Sequence, residues 1–338
     1  MTFPLYRRPG GVAFLDDDAA YLEMLAEVMP EAWRVRLFLR PADCINQLQQ
    51  EPPQWEADAW RQRDMLERWR DGLNLVAQIL QYWRDDKTNR FAFTRVCVVD
   101  YSMPAMNGLQ VLDELVNWPG SRVLLTGQAD EQIAVRAFNA GLIEQYIPKQ
   151  TPEITQRLTD AIQNLLDAPH DGHAQIWRAT LSREQMALIS APALGRQLAA
   201  QAEAHRWVEH VVIGHPFGIL ALDADGQAWW LQLEPQARLA ELAELAECHG
   251  ASQAEIQSIR DGRCLFDIEL RLALGSTQGA LHPARQLCDG PVVHGVVLPI
   301  PAALCPGASG SYAEFLQACR PRELREAARP APPFSPHA

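Results

Sequence analysis

The sequence predicts an α/β chain: a five-stranded, doubly wound parallel sheet carrying a helical insertion, followed by a smaller α+β domain. Three observations predict it. Short apolar runs alternate with helical patterns through the first half, the signature of successive βα units. The chain's 338 residues are enough for two domains of ordinary size, and a hydrophobic content of 48% can supply two cores. A polar linker carrying Pro169 and Gly172, residues 168–174, divides the alternating half from a second half of different pattern, 175–320.

The elements follow in order. Val12 to Leu15 is an apolar run and reads as the first strand, with a helix over 19–29 after it. A strand over 34–39 leads into a helix over 41–50 with Pro41 in its first turn. Strands over 95–99, 123–125 and 146–148 complete the sheet, and helices over 109–116, 130–140 and 152–166 fill the gaps. Between the second helix and the third strand lies the insertion, 51–90. Its Leu66, Trp69, Leu73, Val76, Leu80 and Trp83 recur at alternating spacings of three and four, so one long amphipathic helix is expected, with Trp55 and Trp60 near its start. That stripe must cover either the flank of its own domain or a second chain, and self-association through it is the expectation.

Past the linker, where His170 and His173 read as solvated, a helical stretch over 181–205 precedes a strand over 211–213. A hairpin over 217–222 and 228–233 turns at Asp223-Ala224-Asp225-Gly226. Trp229 and Trp230 alternate along that second strand, one toward the core and the other toward an interface or pocket. His210 and His215 lie at strand ends near Gly214 and read as solvated or hydrogen-bonded. Helices over 239–248 and 252–259 and a closing strand over 292–300 follow, and the Pro- and Ala-rich tail, 321–338, is expected to be disordered.

Charge narrows the function. Acids exceed bases by 42 to 30, a net charge of -12, which disfavours nucleic acid and anionic membranes, whose capture needs clustered Lys and Arg. No apolar run approaches a membrane span and no leader peptide is evident, so a cytoplasmic protein is expected. The seven cysteines form no CxxC pair and are expected as reduced thiols. A Gly-rich phosphate loop, an HExxH helix and a serine elbow are all missing from the second half, so it is expected not to be an enzyme.

The chemistry gathers at strand ends. Asp16 and Asp17 end the first strand, Asp100 the third, Thr126 the fourth, and Lys149 follows the fifth. In an open parallel sheet the carboxyl ends of the strands converge on one crevice. Three acids there repel one another unless a hard cation such as Mg²⁺ neutralises them, while an ammonium and a hydroxyl suit phosphoryl oxygens. Lys87 and Lys149 are the only lysines in a chain that otherwise uses arginine, which gives the placement of Lys149 weight.

The acidic pair, the segment Asp100-Tyr101-Ser102-Met103-Pro104-Ala105-Met106-Asn107-Gly108, the step Thr126-Gly127-Gln128-Ala129 and Lys149 together resemble the receiver domain of two-component response regulators, over residues 10–167. The resemblance implies a flavodoxin-like sheet in which Asp100 accepts a phosphoryl group from a sensor histidine kinase or phosphotransfer protein. It further implies Mg²⁺ held by Asp17 directly, by Asp16 through water, by Asp100 and by the backbone carbonyl of Ser102. Thr126 and Lys149 would hold the phosphoryl oxygens, and Tyr146 would be the aromatic that moves with the threonine. Two features depart from the family: the insertion, and Pro148 preceding the lysine where the family usually has proline after it, a position taken here by Gln150. The hairpin over 218–226 looks like the opening of PAS-type sensor domains, and the overall layout is similar to the quorum-sensing response regulators of Legionella-type bacteria. A response regulator whose second half acts by protein contact or ligand sensing is therefore expected. A receiver-gated enzyme is the alternative, and a transcriptional regulator a more distant one.

Overall fold

The computed structural model describes residues 3–86, 89–127, 131–168 and 171–319; the tail over 321–338 and His170 lie outside them. The chain divides into two units. One comprises Gly10–Trp55 and Ala92–Leu166, with Cys319; the other comprises the segment up to Pro9, then Glu56–Phe91, then Asp167–Ala318. Its elements up to the end of the first unit are β1 (Tyr6–Arg7), β2 (Gly11–Leu15), α1 (Ala19–Val28), β3 (Val35–Phe38), α2 (Pro41–Leu48), α3 (Pro52–Arg70), α4 (Leu75–Asp85), β4 (Thr94–Asp100), α5 (Gly108–Glu114), β5 (Ser121–Thr126), α6 (Glu131–Asn139), β6 (Gln145–Pro148) and α7 (Ile154–Asp167).

In the first unit five parallel strands run in the order β3-β2-β4-β5-β6, the doubly wound sheet that the alternating pattern predicts. Period-two alternation divides the strand residues between two cores. Ala13, Leu15, Cys97 and Val99 pack on one side with α2 and α5 residues such as Cys44, Leu48 and Val111. Val12, Phe14, Val96 and Val98 pack on the other with Leu22 and Leu25 of α1 and Leu158 and Ile162 of α7. Both faces are covered, which is why β2 and β4 read as continuous apolar runs. Because β3 and β4 lie on opposite sides of β2, the strand order reverses there, and a crevice opens at the carboxyl ends of β2 and β4.

The second unit continues with α8 (Asp171–Arg178), α9 (Arg183–Ile189), α10 (Pro192–Ala204), β7 (Trp207–Gly214), β8 (Phe217–Asp223), β9 (Ala228–Pro235), α11 (Leu239–Cys248), α12 (Gln253–Arg260), β10 (Cys264–Phe266), α13 (Ile268–Ala273), β11 (Leu281–Pro283), β12 (Arg285–Asp289), β13 (Val292–Pro299) and α14 (Tyr312–Ala318). An antiparallel sheet in the order β1-β7-β8-β9-β13-β12 forms its centre, and β10 pairs with β11 alone. The helical stretch over 181–205 is two helices, because Pro192 opens a new first turn. Trp230 is fully buried, while Trp229 is half-buried and donates to Asp223 Oδ2 at 2.9 Å.

The insertion corrects two expectations. It is not one long helix: Gly72 turns the chain at φ +97° after α3, and Asn74 caps α4 by accepting from the Ala77 N–H at 3.2 Å. Leu66, Val76, Leu80 and Trp83 are buried, Trp69 is half-buried, and Leu73, in the turn, is 55% exposed. Nor does most of the segment belong to the receiver-like unit: Glu56–Phe91 clusters with the second unit, and Trp60 is 67% exposed. Spacing alone could not reveal this, since a stripe of apolar residues specifies burial but not the partner that provides it. Among the described residues, no helix is long and apolar enough to cross a membrane. His173 is also buried rather than solvated, because α8 begins at Asp171 and carries it into the second unit's interior.

Candidate functional site

The strand register of the first unit brings the predicted residues together. Asp16 follows β2 directly, Asp100 ends β4, Thr126 ends β5 beside Pro148 in register, and Lys149 follows β6 with its N–H on the Thr126 carbonyl at 2.8 Å. Carboxylate oxygens of Asp16, Asp17 and Asp100 all lie within 4.8 Å of one another. Asp16 and Asp100 are buried and Asp17 is exposed, so the cluster opens to solvent on one side.

Lys149 is the counter-charge. Its Nζ lies 2.7 Å from Asp16 Oδ2 and 2.7 Å from Asp100 Oδ1, and 4.7 Å from the centre of the Tyr21 ring. Burial pulls the ammonium's pKa down, but its hydrogen bonds to Asp100 and Asp16 outweigh this and hold it above the usual lysine value. Tyr21 is raised, first by burial and then by the same two carboxylates, against the opposing pull of Lys149.

Backbone contacts fix the acids. Asp16 Oδ1 accepts from the Asp18 N–H at 3.0 Å, and Asp100 Oδ2 from the Ser102 N–H at 3.0 Å. The loop then folds back tightly: the Gly108 N–H reaches the Tyr101 carbonyl at 3.0 Å, and a Cβ at Gly108 would sit 2.3 Å from the Asp100 carbonyl oxygen. Only glycine fits there, which explains the last residue of the Asp100–Gly108 segment. Thr126 is buried, and its hydroxyl has no hydrogen-bond partner among the described residues. Tyr146 is half-buried and packs against the core on the α2 and α5 side of the sheet.

The donor set is all oxygen, two buried carboxylates and one exposed, with no thiolate or imidazole. It suits a small hard dication such as Mg²⁺, which takes one or two carboxylates and keeps much of its water. Two carboxylates share one ammonium and a third stands beside them, so the site carries more negative than positive charge.

Sequence reasoning missed the charged interior of the second unit. Asp58 of α3, fully buried, meets Arg8 at 3.0 Å and His173 at 2.9 Å, and accepts from the Tyr82 hydroxyl and from Gln62 Nε2. Burial works against its charge, but Arg8 and these hydrogen bonds outweigh it and hold the carboxyl well below its ordinary value. Gln62 also accepts from Trp177 Nε1 at 2.8 Å. Arg90, likewise fully buried, pairs with Glu209 of β7 at 3.0 Å and donates to the carbonyls of Trp83, Asp86 and Gly310. Elsewhere on the sheet, burial raises the Glu234 carboxyl to about 7 and lowers the imidazole of His210, stacked on Phe3, to about 3. Charged residues give no sequence signal of burial, so nothing in the spacing marked these.

No protein-family model matches the chain, and no curated protein matches it in sequence. Among solved structures it is similar to the Legionella pneumophila response regulator LqsR, with a TM-score of 0.72 and 20% identity over 94% of this chain and 97% of that one. Receiver-domain structures match about half of it. One from Clostridium thermocellum has a TM-score of 0.28 and 18% identity over 47% of this chain and 94% of its own. Another, from Methanospirillum hungatei, has a TM-score of 0.30 and 17% identity over 50% and 98%. The whole-chain likeness and the two sheets together give the fold: a receiver-type parallel unit and a second, antiparallel unit.

Proposed function

We propose that the protein is a phosphorylation-switched response regulator and that Asp100 is its phospho-acceptor. One observation carries the reading: Asp16, Asp17, Asp100 and Lys149 meet at the carboxyl ends of β2, β4 and β6, with Lys149 touching the acceptor. A carboxylate oxygen of Asp100 attacks phosphorus, and the bond from phosphorus to the donor, an imidazole nitrogen of a sensor kinase or phosphotransfer protein, breaks with its electron pair going to that nitrogen. The Ser102 N–H and Lys149 orient the carboxylate before attack. Afterwards Lys149 and the Thr126 hydroxyl neutralise and hold the transferred oxygens, and Tyr146, packed below, follows the threonine. Mg²⁺ held by Asp16, Asp17, Asp100 and the Ser102 carbonyl would lower the repulsion between the acids and the incoming phosphoryl group.

The second unit acts by protein contact or ligand sensing, without turnover of its own. Homodimerisation through the insertion loses its motive, because most of the apolar stripe is already covered in a single chain. A receiver-gated enzyme remains a second reading on one observation: Gln232, Glu234 and His294 are buried side by side on β9 and β13, a polar set in which a carboxyl titrates near neutral pH. Incubation with Mg²⁺ and acetyl phosphate, followed by mapping of the label, tests the main reading. Label confined to Asp100 and absent without Mg²⁺ is expected; label that persists in Asp100→Asn overturns it.

A further inference from the structure

Up to Ala318 the backbone passes between the two units four times, at Pro9/Gly10, Trp55/Glu56, Phe91/Ala92 and Leu166/Asp167. A charged pair of the second unit lies within two residues of each of these four. Arg8 and Asp58, which bind each other, flank the first and second; Arg90, bound to Glu209, flanks the third; Asp167, bound to Arg7 at 2.6 Å, begins after the fourth. Arg8, Asp58, Arg90 and Glu209 have side chains no more than 4% exposed.

Two of those passages open directly onto strands that end at the acid site, and a third closes the helix that follows Lys149. β2 begins at Gly11, just past the first passage, and ends immediately before Asp16. β4 begins at Thr94, just past the third, and ends on Asp100. α7, which follows Lys149, ends on Asp167 at the fourth. Both strands are short and sit in the middle of a parallel sheet, so each is a stiff link between a carboxylate and a passage.

Cohesion alone does not call for these ions. A buried ion pair can often be replaced by well-packed apolar side chains at no loss of stability, whereas its hydrogen bonds demand a fixed geometry. Arg90 is held by one carboxylate and three carbonyls, and Asp58 by Arg8, His173, Tyr82 and Gln62. A shift of about an ångström at either residue breaks several bonds at once, since these bonds weaken steeply away from 2.7–3.2 Å. Such a set has discrete arrangements rather than a continuous range.

The geometry points to the buried pairs Arg8–Asp58–His173 and Arg90–Glu209 as the relay through which the state of Asp100 reaches the second unit. This rests on the phospho-acceptor reading above. The test is hydrogen exchange on the full chain, with and without acetyl phosphate and Mg²⁺, with Asp100 labelling measured on the same samples. Labelled wild-type protein should show exchange changed by about fivefold or more in peptides spanning 56–66, 75–86 and 171–178, the lower end of ordinary allosteric coupling. The variants Arg8→Met/Asp58→Leu and Arg90→Met/Glu209→Leu should still label at Asp100 and lose that response. Labelled wild type without a response, or variants that keep it, overturn the relay. Should the variants not fold, the wild-type comparison decides alone. Absence of label in the wild type instead overturns the phospho-acceptor reading, and the relay falls with it.

Discussion

Two regions of this chain use close pairs of carboxylate and basic side chain to opposite ends. At the carboxyl ends of β2, β4 and β6, two carboxylates touch one ammonium at 2.7 Å, a third carboxylate lies within 4.8 Å, and one side is open to water. In the second unit Arg8 meets Asp58 and Arg90 meets Glu209, each at 3.0 Å, with charge balanced and every ion enclosed. An ion pair in itself therefore says little about role. Imbalance and access mark a site that takes up a further charged group; balance and enclosure mark one that fixes geometry.

Substitutions can break this comparison. Asp100→Asn should abolish labelling by acetyl phosphate, the largest effect expected, yet leave the unfolding free energy within about 1 kcal/mol, because it relieves repulsion as it removes a contact to Lys149. A loss of several kcal/mol in chemical denaturation would mean that the site is structural. Arg90→Ala should do the reverse and cost about 3–5 kcal/mol, since it strands Glu209 in the interior. Retained stability there would show that the interior admits water and that enclosure is not what separates the two regions.

The insertion sharpens the contrast on a smaller scale. Leu80→Ala should cost about 2–5 kcal/mol as a buried truncation, whereas Leu73→Ala, in the turn, should change stability by no more than about 0.5 kcal/mol. Equal costs would restore the single helix with a uniform stripe.

Dependence on pH is the finest discriminator. His210 is depressed from 6.5 to about 3 by burial, so it stays neutral in the fold and takes up its proton on unfolding. Its contribution is present above about pH 6.5 and is lost, at up to about 1.4 kcal/mol per pH unit, as pH falls toward 3. Glu234 is raised from 4.5 to about 7 by burial and has the opposite sign: its contribution is present below about pH 4.5 and is lost as pH rises toward 7. Stability measured against pH should therefore be flatter at low pH in His210→Gln and flatter between about 4.5 and 7 in Glu234→Gln. A wild-type profile reproduced by either variant would remove that residue from the account.

The first unit was legible in the sequence because its signals are local. Each strand is an apolar run, and each site residue stands at the end of one, so order along the chain predicts convergence in space. The second unit depends on distant segments. β1 pairs Tyr6 with Val211, and no property of a two-residue strand announces such a partner. The stripe on α3 and α4 is legible but its cover is not, and the turn at Gly72 is masked by a spacing of three and four that continues through it. Asp58 and His173 were the least legible, since a charged residue on an amphipathic segment reads as solvated until its partners are known.

The passages between the units also set an order of assembly. The receiver-type sheet has its last strand by Pro148, while the second unit still lacks every strand but β1. On a growing chain, α3 and α4 therefore emerge long before β7, and Leu66, Leu80 and Trp83 wait uncovered while Arg90 waits for Glu209. Contacts of such long separation form slowly, and apolar surface exposed meanwhile invites aggregation. Shortening this chain from its C-terminal side would thus strip the cover from its middle before it touched the acid site.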